Sequence, residues 1–440
     1  MSVAIERGGP RLARARSEWW APALATALAL VLAAVTAKLV LDAAGGHRPL
    51  VPLSPDISGW LRGLGQRLEY QDFLILLLVS TGAYAGLLAL ARFVSKTAAV
   101  VLVGVLHALV FAGPILLSTD VFSYIAYARM GVEHGLNPYL HGPVAIAHDP
   151  IYPYVGQDWK HVATAYGPLY TLLSYPLAPL GLRGALWGMK LEALLASAGT
   201  LWLVWRSARA RELSGVFALL AVGANPLYVL YGVGGAHNDL IMMAAMMAAV
   251  SLTLSGRDAA ASAAVVGGAL VKVTVAALLP FMLLADRARH ARAQLLGAAA
   301  ALAVAGLVSF AVFGAHGLDL VAALNRDAAF VSTDSFPTEI AHLFGKPGVF
   351  PVDHDLLKAA LVVIVAYLLW QTWRGFDWIA AAGWTLLAIA VTSTWLLAWY
   401  ILWPLPLAAV TRDRRLLVAT LAVQGLFIVH QIAPLLEPVS

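Results

Sequence analysis

Charge and hydropathy do not alternate along this chain; they segregate. Residues 19–37, 73–91, 97–119, 213–236, 240–256, 293–315 and 416–436 contain no Asp, Glu, Lys or Arg. Each is close to the roughly 20 residues that carry a helix across a bilayer. Residues 184–205 and 357–373 read as further spans. Residues 378–411 carry no charge over 34 positions. At about 1.5 Å per residue that is too long for one crossing of a core about 30 Å thick. Thr392-Ser393-Thr394 with Pro404 and Pro406 divide it into two short helices. Residues 259–284 carry Lys272 in the middle. A lysine at the bilayer centre costs about 2.5–3.5 kcal/mol, so this run is expected as two short helices meeting at Lys272, with the ammonium at a water interface. The pattern predicts an all-α, polytopic membrane protein with about thirteen transmembrane helices.

The polar remainder orients the chain. With the N-terminus and its Arg7, Arg11, Arg14 and Arg16 in the cytoplasm, the inner loops hold seventeen Lys and Arg and the outer loops nine. This follows the bias of basic residues towards the cytoplasm and places the C-terminus outside. Residues 166–181 fit this scheme only as a helix embedded in the outer interface; as a crossing they would move Arg206, Arg209 and Arg211 outside. Acids favour the outer side, the mark of a working face there. The first apolar run lacks a convincing small-residue cleavage site and is expected to remain as an anchor. The organisation expected is a tail and two additional helices (1–97), a catalytic membrane module (98–315) with an outer loop at 118–183, and a second outer loop with the last helices (316–440).

Composition narrows the class. Hydrophobic residues make up 61% of the 440 and charged residues 12%, and mean hydropathy is +0.79; a water-soluble globule carries about twice that charge. With no cysteine, thiolate metal sites and cysteine nucleophiles are excluded. The twelve histidines form no HxxxH, HxH or HExxH pattern, and Asp353-His354-Asp355 reads as a solvated loop. There is no Walker-type Gly-rich Lys-Ser/Thr motif and no GxSxG elbow. The net charge of +5 fits basic cytoplasmic loops, and no nucleic-acid partner is expected.

Chemistry concentrates in the outer loops. Asp120 follows an uncharged run, and Asp120, Ser123, Tyr124 and Tyr127 fall at i, i+3, i+4 and i+7, one face of a short amphipathic helix. A carboxylate beside tyrosines at the membrane surface suits a polar ligand carried on a lipid; Asp120 is equally placed to cap that helix. The loop closes on Tyr166-Gly167-Pro168. Gly234-Gly235-Ala236-His237-Asn238-Asp239 makes a tight outer turn that leaves three polar side chains at one edge, more than a capping turn needs. Lys272, at the next outer turn, suits a phosphate or snorkels to the interface. Arg326 in the second loop suits a phosphate or pairs with Asp327.

The segment "DVFSYIAYARMGVEHGLNPY" (120–139) resembles the first outer loop of the GT-C superfamily of membrane glycosyltransferases. More narrowly it is similar to the polyprenol-phosphate-mannose-dependent α-(1→6)-mannosyltransferases of actinobacterial lipomannan and lipoarabinomannan synthesis. "YGPLYTLLSYPLAPLG" (166–181), "GGAHNDLIM" (234–242), "GALVKVTVAALLP" (268–280) and "AWYILWPLPL" (398–407) fit the same resemblance. Two features depart from it: Ser118 stands where the superfamily often has a second acid, and two helices precede the loop-bearing one. The resemblance implies an inverting transfer of mannose from a polyprenyl-phosphate donor to a cell-envelope glycan or glycolipid, at the outer face of the bacterial cytoplasmic membrane. Inversion in one displacement needs one general base, Asp120. Lys272, His237 and Arg326, in that order, are expected at the donor phosphate. Tyr124, Tyr127, Asn238, Asp239 and Tyr166 are expected at the sugar or acceptor. The scheme requires no cofactor and no metal. Sibling enzymes with glucose, arabinose or galacturonic acid donors are the alternative, followed by a transporter or flippase of a lipid-linked sugar. The outer-edge position of Asp120, His237, Asp239 and Lys272 favours an enzyme over a transporter, whose ionisable groups usually lie near the midplane.

Overall fold

The computed structural model describes residues 18–44, 61, 64–66, 68–285, 291–318 and 330–436. Every regular element among them is helical. In chain order these are α1 (Ala21–Ala44), α2 (Tyr70–Ala89), α3 (Lys96–Ala112), α4 (Asp120–Val132), α5 (Pro168–Ser174), α6 (Gly181–Ala210), α7 (Gly215–Gly223) and α8 (Asp239–Thr253). They are followed by α9 (Asp258–Ala269), α10 (Leu278–Ala285), α11 (Ala291–Phe313), α12 (Phe336–Leu343), α13 (Pro351–Trp373), α14 (Trp378–Thr392), α15 (Leu405–Ala409) and α16 (Arg414–Leu436). The all-α expectation therefore holds.

Three helical segments among the described residues, Ala21–Ala44, Tyr70–Ala89 and Ala291–His316, are long and apolar enough to cross a membrane. The last shows why such a segment needs lipid: Leu302, Val304, Leu307 and Phe310 are each more than half exposed. Most other apolar runs form shorter helices, so the expected count of about thirteen crossings goes beyond what these lengths support.

Local chemistry explains where the runs break. The run 259–284 divides at Lys272, as expected. Lys272 is extended (φ −149°), between α9 and a 3-10 turn at Val273–Ala277. The run 378–411 also divides, but its second half contains only a 3-10 turn at Tyr400–Leu402 and the five-residue α15. The run 213–236, expected as one span, is broken. Pro226 disfavours helix at the residue before it, and Asn225 closes the gap by accepting from Tyr228 N–H (3.0 Å) and donating to Gln424 on α16 (2.8 Å). A π-helix, Tyr228–Val233, completes that run. Residues 166–181 fold as α5 and a 3-10 segment, Tyr175–Leu180, too short to cross.

The core lies where α6, α8 and α9 pack together. Met242, Met243, Met246 and Met247 of α8 are fully buried in it. The segment after α4 folds over that helix in short 3-10 turns. Phe122 stacks on Tyr154 (5.7 Å between centroids), and Tyr127 donates to Val162 O (2.8 Å). Consequently α4 is not an amphipathic helix lying on a surface. Residues 120–128 are all buried, because the loop covers the face expected to meet water.

Candidate active site

A cavity of about 340 Å³ lies between α4, the turn at Lys272, and α13 with α14, within the range typical of small-ligand sites. Asp120, Ser123 and Tyr127 of α4 line one side with Tyr166 and Lys272. His354, Leu357, Lys358 and Leu361 of α13 line another, and Trp395 and Tyr400 a third.

Asp120 begins α4. Thr119 occupies the cap position and makes no side-chain cap bond. The Asp120 backbone N–H donates to Ser118 Oγ (3.1 Å), while its carboxylate accepts no hydrogen bond among the described residues. His237 Nδ1 lies 3.7 Å from Oδ2, beyond hydrogen-bond reach. Burial pushes the Asp120 carboxyl up to about 7; Lys272 opposes that rise and Asp239 adds to it.

His237 is fully buried and stacks face to face on Trp399 at 3.6 Å. Neither ring nitrogen has a hydrogen-bond partner. Burial, with Lys272 second, holds its pKa well below the ordinary range, so the ring is neutral at physiological pH. Gly235 makes room for it: a Cβ there would meet the imidazole at 2.7 Å.

Lys272 and Asp239 form one locked unit. Lys272 Nζ donates to both Asp239 oxygens (2.8 and 3.1 Å), and Trp403 Nε1–H donates to Oδ1 (2.6 Å). The ammonium also sits over the rings of Tyr400 (4.4 Å) and Trp403 (5.1 Å). The break that exposes Lys272 is held from the other side. Gly167 N–H donates to Val271 O (3.1 Å) and Leu169 N–H to Leu270 O (3.1 Å). Any side chain at position 167 would collide with the Leu270 carbonyl, so glycine is needed there.

The tyrosines form a cluster. Tyr124 packs edge-on against Tyr166 (4.8 Å) and Tyr170 (5.1 Å), and its hydroxyl donates to Asn238 Oδ1 (3.4 Å). Burial raises the phenol pKa of Tyr124 and of Tyr166 well above the ordinary value, which keeps both as hydroxyl donors.

The structure thus gathers Asp120, Tyr127, Tyr166 and Lys272 on the cavity wall. Tyr124, His237, Asn238 and Asp239 stand immediately behind it, each at most 1% exposed. Asn238 and Asp239 were expected at the sugar; in this geometry Asp239 anchors Lys272 and Asn238 receives Tyr124. Arg326 lies outside the described residues. Sequence reasoning missed Trp399 and Trp403 as partners of His237 and Asp239. It also missed His354 and Lys358, which the i, i+4 spacing brings to one helix face. No group of three His, Asp or Glu side chains suited to a metal ion occurs among the described residues.

Chemically, the wall offers a carboxylate without donors, poised to take a proton, beside hydroxyl donors and a charge-balanced lysine. Residues 24–288 match the family model described as "Alpha-(1->6)-mannopyranosyltransferase, N-terminal domain", and residues 354–434 match "MptB C-terminal domain". Alpha-(1->6)-mannopyranosyltransferase A of Mycobacterium tuberculosis is 30% identical over 71% of this chain and 66% of its own length. The Corynebacterium glutamicum protein of the same name is 29% identical over 40% of this chain and 36% of its own length. Alpha-(1->6)-mannopyranosyltransferase B of C. glutamicum is 24% identical over 67% and 56% respectively. The chain thus aligns with less than two thirds of the length of even the first of these. No solved structure matches the chain. With the N-terminal model covering residues 24–288, which include Asp120, the His237–Asp239 turn and Lys272, the chain belongs to the alpha-(1->6)-mannopyranosyltransferase family.

Proposed function

We propose that this chain is a GT-C-type inverting glycosyltransferase. It moves mannose from a polyprenyl-phosphate-mannose donor to a hydroxyl of a cell-envelope glycan or glycolipid. The chemistry takes place on the outer face of the cytoplasmic membrane, with the N-terminus in the cytoplasm. The observation that carries this reading is the Asp120 carboxylate: it lines a ligand-sized cavity, lacks donors and holds its proton up to about pH 7. A general base works best with a pKa near the operating pH.

In the step itself, the acceptor hydroxyl gives its proton to an Asp120 oxygen as its own oxygen attacks the anomeric carbon. The bond from that carbon to the phosphate oxygen breaks, and the polyprenyl phosphate leaves with the electron pair. The sugar configuration inverts from β to α. Neutral His237, 3.7 Å from Asp120, packs beside the carboxylate without neutralising it. Tyr127 and Tyr166 supply polar edges for the sugar.

The test is a transfer assay with purified full chain, a panel of polyprenyl-phosphate sugars and a lipoglycan acceptor fraction. The expected product carries an α-linked mannose from the mannose donor. Transfer of glucose or arabinose in preference would move the assignment to a sibling enzyme. Substrate uptake by proteoliposomes with no new glycosidic bond would replace it with transport.

A further inference from the structure

The cavity has two walls, and their charges are organised differently. The wall built from residues 120–274 presents Lys272, already balanced by both oxygens of Asp239. The wall built from α13 presents Lys358, which forms no ion pair with any described residue. His354, one turn earlier on the same helix, contacts Thr394 through Nδ1 at 3.5 Å, which leaves Nε2 available. The acids that flank it on α13 do not neutralise this end. Asp353 is taken by the Phe350 N–H (2.9 Å) and by Lys346 (3.4 Å), and Asp355 is exposed. The same cavity also holds apolar Leu357 and Leu361 of α13 and Ile389 of α14. A cation and apolar side chains on one cavity that also holds a carboxylate match a ligand with a phosphate joined to an aliphatic chain.

We infer that α13 is the phosphate-binding wall: Lys358, with His354, takes the phosphate of a lipid-linked donor whose first isoprene units lie on Leu357 and Leu361 against Ile389. The inference rests on the proposed function for its choice of lipid. It shifts the leading phosphate contact from Lys272 to Lys358 and leaves Lys272 to hold Asp239 and the wall beside Asp120. It also gives the two matched regions separate tasks, with the base in residues 24–288 and the leaving-group phosphate in residues 354–434.

The test measures equilibrium binding to the full chain in nanodiscs with three probes: a polyprenyl monophosphate, the matching polyprenol, and inorganic phosphate. Lys358→Ala should weaken the polyprenyl monophosphate roughly tenfold or more, the loss expected for one charge-assisted hydrogen bond. It should leave polyprenol binding and the unfolding temperature unchanged, because Lys358 is exposed. Lys358→Arg should restore most of the affinity. Wild-type affinity of Lys358→Ala for the polyprenyl monophosphate would overturn the assignment. Equal affinity of the wild type for inorganic phosphate would also overturn it, by making the site one for free anions. These readouts involve no sugar and no transfer, so a failed mannosyl assay alongside Lys358-dependent binding would sink the proposed reaction and leave the phosphate site standing.

Discussion

Asp120 and Asp149 lie in the same long loop region, both buried, and are treated in opposite ways. Asp149 receives Arg129 Nε at 2.9 and 3.0 Å, Arg129 Nη2 at 2.9 Å, His134 Nε2 at 2.8 Å and the Ile151 N–H at 3.0 Å. Burial alone would raise its pKa, but the Arg129 and His134 hydrogen bonds outweigh it and bring it down to about 2. Asp120 receives none of these and is pushed up to about 7 by burial. The first arrangement fastens the end of α4 to the loop that covers it. The second stores an acid whose charge is costly and whose proton affinity is therefore high. A buried carboxylate with its donors supplied serves architecture; one left without them against a cavity has the proton affinity that the proposed general base requires.

The contrast breaks most sharply in activity. Asp120→Asn should lower kcat/KM by about 10²–10⁴-fold, the span of general-base contributions, whereas Asp149→Asn should leave transfer by the folded fraction near the wild-type rate. Stability should respond in the reverse sense. Asp149→Asn leaves Arg129, only 16% exposed, without its partner, and should cost about 3 kcal/mol in detergent unfolding. Because the Asp149 pKa is depressed, that contribution is present above the unfolded-state value near 4 and is lost as pH falls towards 2. Asp120 has a raised pKa, so the native state holds its proton more tightly than the unfolded chain between about pH 4 and 7, and stability falls as pH rises through that window. Asp120→Asn should therefore raise the unfolding temperature at pH 8, while wild-type kcat/KM should rise with pH and level off above about 7. The smallest effect concerns the locked unit behind the wall. Trp403→Phe removes one donor to Asp239 and should cost about 1.5–3 kcal/mol, the range for a hydrogen bond to a charged group, with transfer reduced only as far as Lys272 shifts.

Legibility in the sequence followed the range of the interactions involved. The breaks at Lys272 and at residues 392–394 were readable because a buried charge and a run of hydroxyls speak against continuous helix locally. The break at Asn225 was signalled only by Pro226, and its closure depends on Gln424, about 200 positions away. Asp120 and His237 could be named as candidates from their positions at the ends of apolar runs, and Lys272 as the one charge inside such a run. Their division of labour could not be read, because it depends on pairings between distant segments: Lys272 with Asp239, Asp239 with Trp403, and His237 with Trp399. His354 and Lys358 were hidden for a different reason. They begin a helix whose remaining face reads as an ordinary apolar span, and only tertiary packing turns their end of it towards Asp120.

Asp120 as the general base is tested most directly by the transfer rate of Asp120→Asn, measured from polyprenyl-phosphate-mannose on protein whose unfolding temperature at pH 8 is recorded beside it. The expected result is a rate at least about a hundredfold below wild type in a protein no less stable than the parent. Transfer near the wild-type rate by that stable variant would contradict it and return Asp120 to the role of an unusually placed structural acid.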